Sequence, residues 1–231
     1  MLLKDAHINK EALKEIKKNI QKHSPFPNKV KIIAVTKTLS YKSIQSAVFN
    51  SVYNIGENKI QETYEKTQNK NKNPKTKLHF IGHLQGNKTA KAVGLFDVIH
   101  SVDSIKLLNK INNQADKQNK KQKIFLQINI SKSKTQSGFK EDEIYKAAEK
   151  ATQKENIKLM GVMCIAANTK ERKIIDSNFI EAKKIKEKIQ QNINPHSQDI
   201  SMGMSQDYIL ALKNGATYIR IGTRLFGKRN G

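Results

Sequence analysis

The stretch Val30-Lys31-Ile32-Ile33-Ala34-Val35-Thr36-Lys37 decides how this chain is read. Ile32 to Val35 is an unbroken apolar run rich in β-branched residues. A run of that kind reads as a strand of a parallel sheet, covered on both faces. Lys37 closes it. An amine at the carboxyl end of a buried strand is partly desolvated if it turns into a barrel mouth. Desolvation disfavours the ammonium form, and a neutral lysine is a nucleophile that forms Schiff bases with aldehydes. Most lysines are simply solvated, so the flanking sequence must decide between the two readings.

Working outward, residues 5–22 place Ala6, Ile8, Ala12, Leu13, Ile16 and Ile20 near helical spacing, and Pro25 and Pro27 end that helix. On the other side, residues 41–50 read as a helix with Ser40 as its N-cap. Short apolar runs then alternate with amphipathic segments. Strands are expected at residues 52–58, 78–83, 98–103, 124–130, 159–164, 200–204 and 218–223. Helices are expected at residues 60–69, 87–93, 105–118, 141–154, 172–191 and 206–213, the last stopped by Asn214-Gly215. Strand-then-helix alternation implies a parallel sheet with right-handed crossovers. Eight units within 231 residues fit a (β/α)8 TIM barrel of the α/β class with an extra N-terminal helix. An open doubly wound sheet is the alternative that periodicity alone leaves standing. With no internal linker, residues 1–231 are expected to form one domain.

Composition narrows the function classes. The formal charge is +23, but lysine is spread along the whole chain together with Asn and Ile, as a global bias and not as a patch. Aromatic residues make up 6% and tryptophan is absent, so platforms for stacking bases are sparse and nucleic acid is not the expected partner. No run is long enough to span a membrane and no leader is visible at the N-terminus. A single cysteine, Cys164, excludes an internal disulfide and fits a reducing, cytoplasmic setting. Without a Cys cluster, a structural zinc site is not expected.

In a barrel, function gathers at the carboxyl ends of the strands. Here those ends carry Lys37, Glu57-Asn58, His83, Ser101-Asp103, Asn129-Ser131, Cys164, Met204-Ser205 and Gly222-Thr223. The loops after strands seven and eight are a frequent phosphate site. Here they supply glycines, hydroxyls and helix-start amides suited to an anion. Gly222-Thr223 taken alone equally reads as a tight turn. Glu57, Gln61 and Glu62 read as groups that cap or brace the following helix.

Six segments occur in order at or just after the expected strand ends. They are Ala34-Val35-Thr36-Lys37, Gly56-Glu57-Asn58-Lys59-Ile60-Gln61-Glu62, His79-Phe80-Ile81-Gly82-His83-Leu84-Gln85-Gly86-Asn87-Lys88, Leu159-Met160-Gly161-Val162-Met163, Ser201-Met202-Gly203-Met204-Ser205 and Arg220-Ile221-Gly222-Thr223. Together they closely resemble the pyridoxal phosphate homeostasis proteins (the YggS/PROSC group), from about residue 5 to Lys228. The resemblance implies a barrel like the N-terminal domain of alanine racemase, holding pyridoxal 5′-phosphate (PLP) at its mouth. It implies that Lys37 carries the cofactor as a Schiff base, that Ser205, Gly222 and Thr223 hold the phosphate through backbone N–H and hydroxyl groups, that Met204 is also cofactor-binding, and that Arg220 faces the pyridine nitrogen. Asn58 and His83 would lie near the ring or its 3′ oxygen, although His83 equally reads as a structural histidine. The chain departs from the family at Gln136, which precedes Ser137-Gly138 where a lysine is common. It departs again at Cys164-Ile165-Ala166-Ala167 and at Arg224.

The resemblance further implies a carrier in intracellular PLP homeostasis. An arginine at the ring nitrogen favours a neutral ring and hence a weaker electron sink. Alanine racemase completes its site with a second domain, which this chain, ending soon after strand eight, is expected to lack. Small amines, amino acids and recipient apo-enzymes are the expected partners, and a monomer the expected state. A minimal PLP racemase is the rival reading.

Overall fold

In the computed structural model, which describes residues 3–133 and 135–228, eight parallel strands close into a barrel in sequence order. The strands are β1 (Lys31–Val35), β2 (Asn54–Glu57), β3 (Lys77–Phe80), β4 (Val98–Val102), β5 (Gln122–Ile128), β6 (Ile157–Cys164), β7 (Asp199–Met204) and β8 (Tyr218–Ile221). Helix α1 (Lys10–His23) precedes them. Between them lie α2 (Tyr41–Phe49), α3 (Ile60–Thr67), α4 (Thr89–Leu95), α5 (Ile105–Lys117), α6 (Glu141–Thr152), α7 (Arg172–Asn192) and α8 (Tyr208–Lys213), and α9 (Thr223–Phe226) follows. This is the (β/α)8 barrel with a leading helix.

The decisive strand is covered on both faces. Ile33 and Val35 pack inside the barrel with Val98, Phe125, Met163 and Tyr218. Ala34, between them, joins the outer layer formed with Ile44, Ala47 and Ile55. That alternation is the period of a strand. β1 closes the barrel against β8, with Ile33 opposite Arg220 and Ala34 opposite Ile221. The two ends of the chain's strand series are thereby neighbours, and so are the loops that follow them.

Local rules set the boundaries, and several differ from the spacing-based expectations. α1 begins at Lys10, five residues later than expected, because the Asn9 side chain accepts the Ala12 amide and caps the helix there. Residues 4–8 instead lie along α2. Lys4 bridges Leu39, and the amides of Ala6 and Ile8 donate to the hydroxyls of Ser43 and Ser46, each at 3.0 Å. Ala6 and Ile8 are apolar because this strap is buried. Ser40 caps α2 by accepting the Lys42 amide, as its position suggested. The strand ends shift too. β1 stops at Val35, which leaves Lys37 in the turn beyond it. β3 stops at Phe80 and β8 at Ile221, so His83 and Thr223 belong to the loops and to α9.

Gly161 is required by the way β6 meets β7. Its φ is +151, and a Cβ there would stand 1.8 Å from the Asp199 carbonyl oxygen. The ladder to β5 also shifts beside it, Ile124 pairing with Leu159 and Phe125 with Gly161. Gly161→Ala must therefore move backbone and strain φ. We expect it to lower folding stability by about 2–5 kcal/mol in urea titrations; an unchanged midpoint would show that this seam has slack.

Candidate functional site

Lys37 follows β1 in a tight turn and is half-buried. The two residues beside it are held by α3. The Thr36 hydroxyl donates to Glu57 Oε1 at 2.6 Å. Lys66 Nζ donates to Thr36 O at 2.9 Å, to Glu57 Oε1 at 2.8 Å and to Glu62 Oε1 at 3.4 Å. Glu62 Oε1 in turn accepts the Thr38 amide at 2.6 Å. The side chains of Glu57 and Lys66 are wholly buried. Burial pushes the Glu57 carboxyl above its ordinary value, and the adjacent Lys66 ammonium opposes that. Glu57 and Glu62 thus brace the turn that carries Lys37, whereas spacing suggested that they brace a helix. Lys66, which sequence reasoning passed over as a polar helix residue, is the centre of the brace.

Across the barrel seam, Arg220 on β8 points inward and is buried. Its guanidinium donates to the Ser201 hydroxyl and to the Cys164 carbonyl, each at 2.8 Å. Among the described residues no carboxylate lies within ion-pair distance of it. Burial lowers its pKa from the ordinary value, with Cys164 and Asp207 opposing; a guanidinium starts so high that it stays protonated.

Behind Arg220 a polar chain crosses the barrel. Ser201 Oγ meets His100 Nδ1 at 3.0 Å, His100 Nε2 meets His79 Nδ1 at 2.8 Å, and His79 Nε2 meets Asn54 Oδ1 at 3.0 Å. Both imidazoles are fully buried. Desolvation pushes His79 down to about 3 and His100 well below its ordinary value. Both are therefore neutral, and the donors can be assigned by elimination. Asn54 Oδ1 only accepts, so His79 donates to it from Nε2. His79 Nδ1 then accepts from His100 Nε2, and His100 Nδ1 accepts from the Ser201 hydroxyl, which accepts from Arg220. Every link runs one way, and every buried polar atom in the chain is paired. Phe125 stacks on His100 with ring centroids 4.4 Å apart. Sequence reasoning assigned none of these roles to His79, His100 or Ser201; their only signal was polarity at inward positions of strands.

The loops after β7 and β8 meet. Ser205 Oγ accepts from the Gly222 amide at 3.3 Å and from the Arg224 amide at 3.5 Å. A hydroxyl and two amides thus converge at the start of α9, with Thr223 exposed beside them. Gly203 permits the bend. Its φ is +87, and a Cβ would stand 2.5 Å from the Ala211 methyl. The Met204 amide is held by Asp207, and the Met204 side chain is exposed at the rim. At the end of β2, Asn58 Oδ1 is buried without a hydrogen-bond partner. His83 turns elsewhere. Its Nδ1 lies 3.2 Å from Asp103 Oδ2 and 3.3 Å from Ser137 Oγ, and none of the other candidate residues is among its partners. Gln136 ties the same loop down through Ser131 and the Ile165 carbonyl. The Cys164 thiol is fully buried and pushed up to about 12, which makes it a packing residue and not a nucleophile. No group of three or more potential metal ligands occurs among the described residues.

The family described as alanine racemase, N-terminal domain, matches residues 8–230. A pyridoxal phosphate homeostasis protein of Vibrio alginolyticus is 32% identical over 219 residues, which is 94% of this chain and 94% of the relative. Another, from Helicobacter pylori, is 35% identical and covers 85% of this chain and 87% of its own. Among solved structures, PipY of Synechococcus elongatus with PLP bound superposes with a TM-score of 0.83 at 32% identity, covering 94% of this chain and 99% of its own. An alanine racemase of Clostridium difficile shares the fold at a TM-score of 0.74 and 17% identity; this chain covers 60% of its length.

The buried histidines make stability depend on pH in one direction. Unfolded, His79 takes a proton below about pH 6.5; folded, it does so only near 3. The unfolded state binds more protons across that window, so stability falls as pH drops from 6.5 towards 3. At about 1.4 kcal/mol per pH unit, His79 alone accounts for roughly 5 kcal/mol across that window, and His100 adds to it in the same sense. Urea unfolding from pH 7 to pH 4 should show this decline, and His79→Gln should flatten it. A pH-independent midpoint over that range would contradict the neutral chain.

Proposed function

The chain belongs to the pyridoxal phosphate homeostasis proteins within the alanine racemase N-terminal domain family, and we propose that it binds PLP at the barrel mouth, held on Lys37 as a Schiff base, and serves as a cytoplasmic carrier without substantial turnover. The donor set fits the group. Lys37 supplies the amine. Ser205 and the amides at the start of α9 suit a phosphate, with Met204, Gly222 and Thr223 around them. Arg220 is a buried cation with only neutral hydrogen-bond partners, as a group awaiting an acceptor should be. Asn58 Oδ1 is a buried acceptor awaiting a donor. His83 is the weakest member, being engaged by Asp103 and Ser137. The observation that carries the reading is the β1–β8 seam, which sets the loop bearing Lys37 beside the strand of Arg220 and the Gly222 turn.

PLP brings an aldehyde that condenses with amines and a pyridine ring that draws electrons from an attached carbon. The protein determines how strongly the ring does so. A carboxylate at the ring nitrogen would keep it protonated; Arg220, itself a donor that keeps its proton, favours an unprotonated ring and a weak electron sink. The acid–base groups flanking Lys37 are also committed elsewhere. Lys66 spends its three protons on Thr36, Glu57 and Glu62, and Glu62 holds the Thr38 amide. These features favour holding a cofactor over moving protons at a substrate carbon. Small amines, amino acids or a recipient enzyme's lysine are the acceptors in this reading, and the protein acts as a monomer. No helix among the described residues is long and apolar enough to cross a membrane.

Purified protein incubated with PLP should turn yellow, lose the visible band on borohydride reduction, and show the added mass on the peptide holding Lys37. Lys37→Ala should stay colourless. Incubation with L-alanine in deuterated water should leave its α-hydrogen unexchanged. A colourless parent protein at saturating PLP overturns the binding reading, and Lys37-dependent exchange at the α-carbon overturns the carrier reading.

A further inference from the structure

We propose that Glu57, Lys66 and Glu62 form a positioning clamp on Thr36-Lys37-Thr38 that sets the reach and reactivity of the Lys37 amine. The proposal deepens the function given above and rests on Lys37 being the anchor. The clamp grips both sides of that residue. On the strand side, Thr36 gives its hydroxyl to Glu57 and its carbonyl to Lys66. On the helix side, the Thr38 amide is held by Glu62, which also meets Lys66. All three ammonium hydrogens of Lys66 are thereby spent on this tripeptide and its two carboxylates.

Three features separate a clamp from an ordinary structural ion pair. First, burying both charges completely is a poor route to stability, since an apolar replacement of equal volume is often neutral or better. Second, Glu57 Oε2 is buried without a partner, a cost that a network built only for stability would avoid. Third, Thr38 sits at φ +64, a region that disfavours a β-branched side chain, and the bond from its amide to Glu62 helps keep it there. Strain maintained by surrounding contacts is characteristic of functional positions. It falls on the residue directly after Lys37.

Removing one partner would strand a buried charge and unfold the region, so the test replaces the set. In T36V/E57L/K66M the fold should survive with an unchanged or higher Tm. Trapping of PLP on Lys37 by cyanoborohydride should slow at least tenfold. Acetylation of Lys37 by acetic anhydride, read by peptide mass spectrometry against the other lysines, should rise at least threefold as the side chain is released. A structural role alone predicts that both rates stay at parental values once the variant is folded, and that result would overturn the clamp. If the triple variant does not fold, Glu62→Ala carries the test, because it leaves the buried pair intact. It should move both rates in the same directions by about threefold, and no movement would again overturn the proposal. Failure of the parent protein to trap PLP would sink the cofactor reading alone, since the acetylation contrast still decides the clamp.

Discussion

The ladder between β1 and β8 is the constraint on which the rest depends. A closed parallel barrel has no free edge, so the first and last strands of the series must pair. Their register, Ile33 against Arg220 and Ala34 against Ile221, is set by apolar residues with no chemistry of their own. Yet that register sets the loop after β1, which carries Lys37, beside the turn after β8, which carries Gly222. A slip of one residue would turn Arg220 outward and Ile219 inward. The packing of Ile33 and Val35 with Tyr218 on one face, and of Ala34 with the helices on the other, guards against that slip.

Inside the barrel the same geometry poses a problem of solvation. Arg220 brings a full charge into a space lined by Ile33, Val35, Phe125 and Met163. Pairing it with a carboxylate would neutralise the charge. The molecule instead surrounds it with dipoles. Ser201 and the Cys164 carbonyl accept from it directly, and His100, His79 and Asn54 continue the chain so that no link is left unpaired. Two neutral imidazoles are suited to this, because each both accepts and donates. The cation is held in place without being cancelled.

How much of this was legible beforehand follows from distance along the chain. The barrel was readable because each strand is a short apolar run followed by an amphipathic helix, and that signal lies within a few residues. Lys37 and the Gly222 turn were readable as candidates because strand ends carry function in this architecture. The ordering of residues 4–8 was not, because Ala6 and Ile8 fit a helical stripe and only contact with Ser43 and Ser46 reveals a strap. His79 belongs to the segment His79-Phe80-Ile81-Gly82-His83, in which nothing local reveals its role. Its partners are His100, 21 positions on, and Asn54, 25 positions back, and neither pairing is visible until β2, β3 and β4 are side by side. His83, at a strand end by spacing, was drawn to Asp103 and Ser137 by a loop that spacing does not describe.

The two polar systems divide one task by their position relative to the strands. The chain of Arg220 lies inside the barrel, and the clamp of Lys66 lies outside it, between β1, β2 and α3. Neither touches the other in any described hydrogen bond. Each is anchored on β2 all the same, Asn54 at its start facing inward and Glu57 at its end facing α3. They stand three positions apart, an odd step, so the strand's own alternation sends one to each face. A single four-residue strand thus supports the guanidinium on one side and the amine-bearing turn on the other. Its remaining residues explain why it can. Ile55 seals the outer core, and Gly56 has no side chain, so Ile33 and Ile81 can close over it. With both faces already committed, β2 has little freedom to shift. The strand is thus a fixed reference between the buried guanidinium on one face and the turn that carries Lys37 on the other.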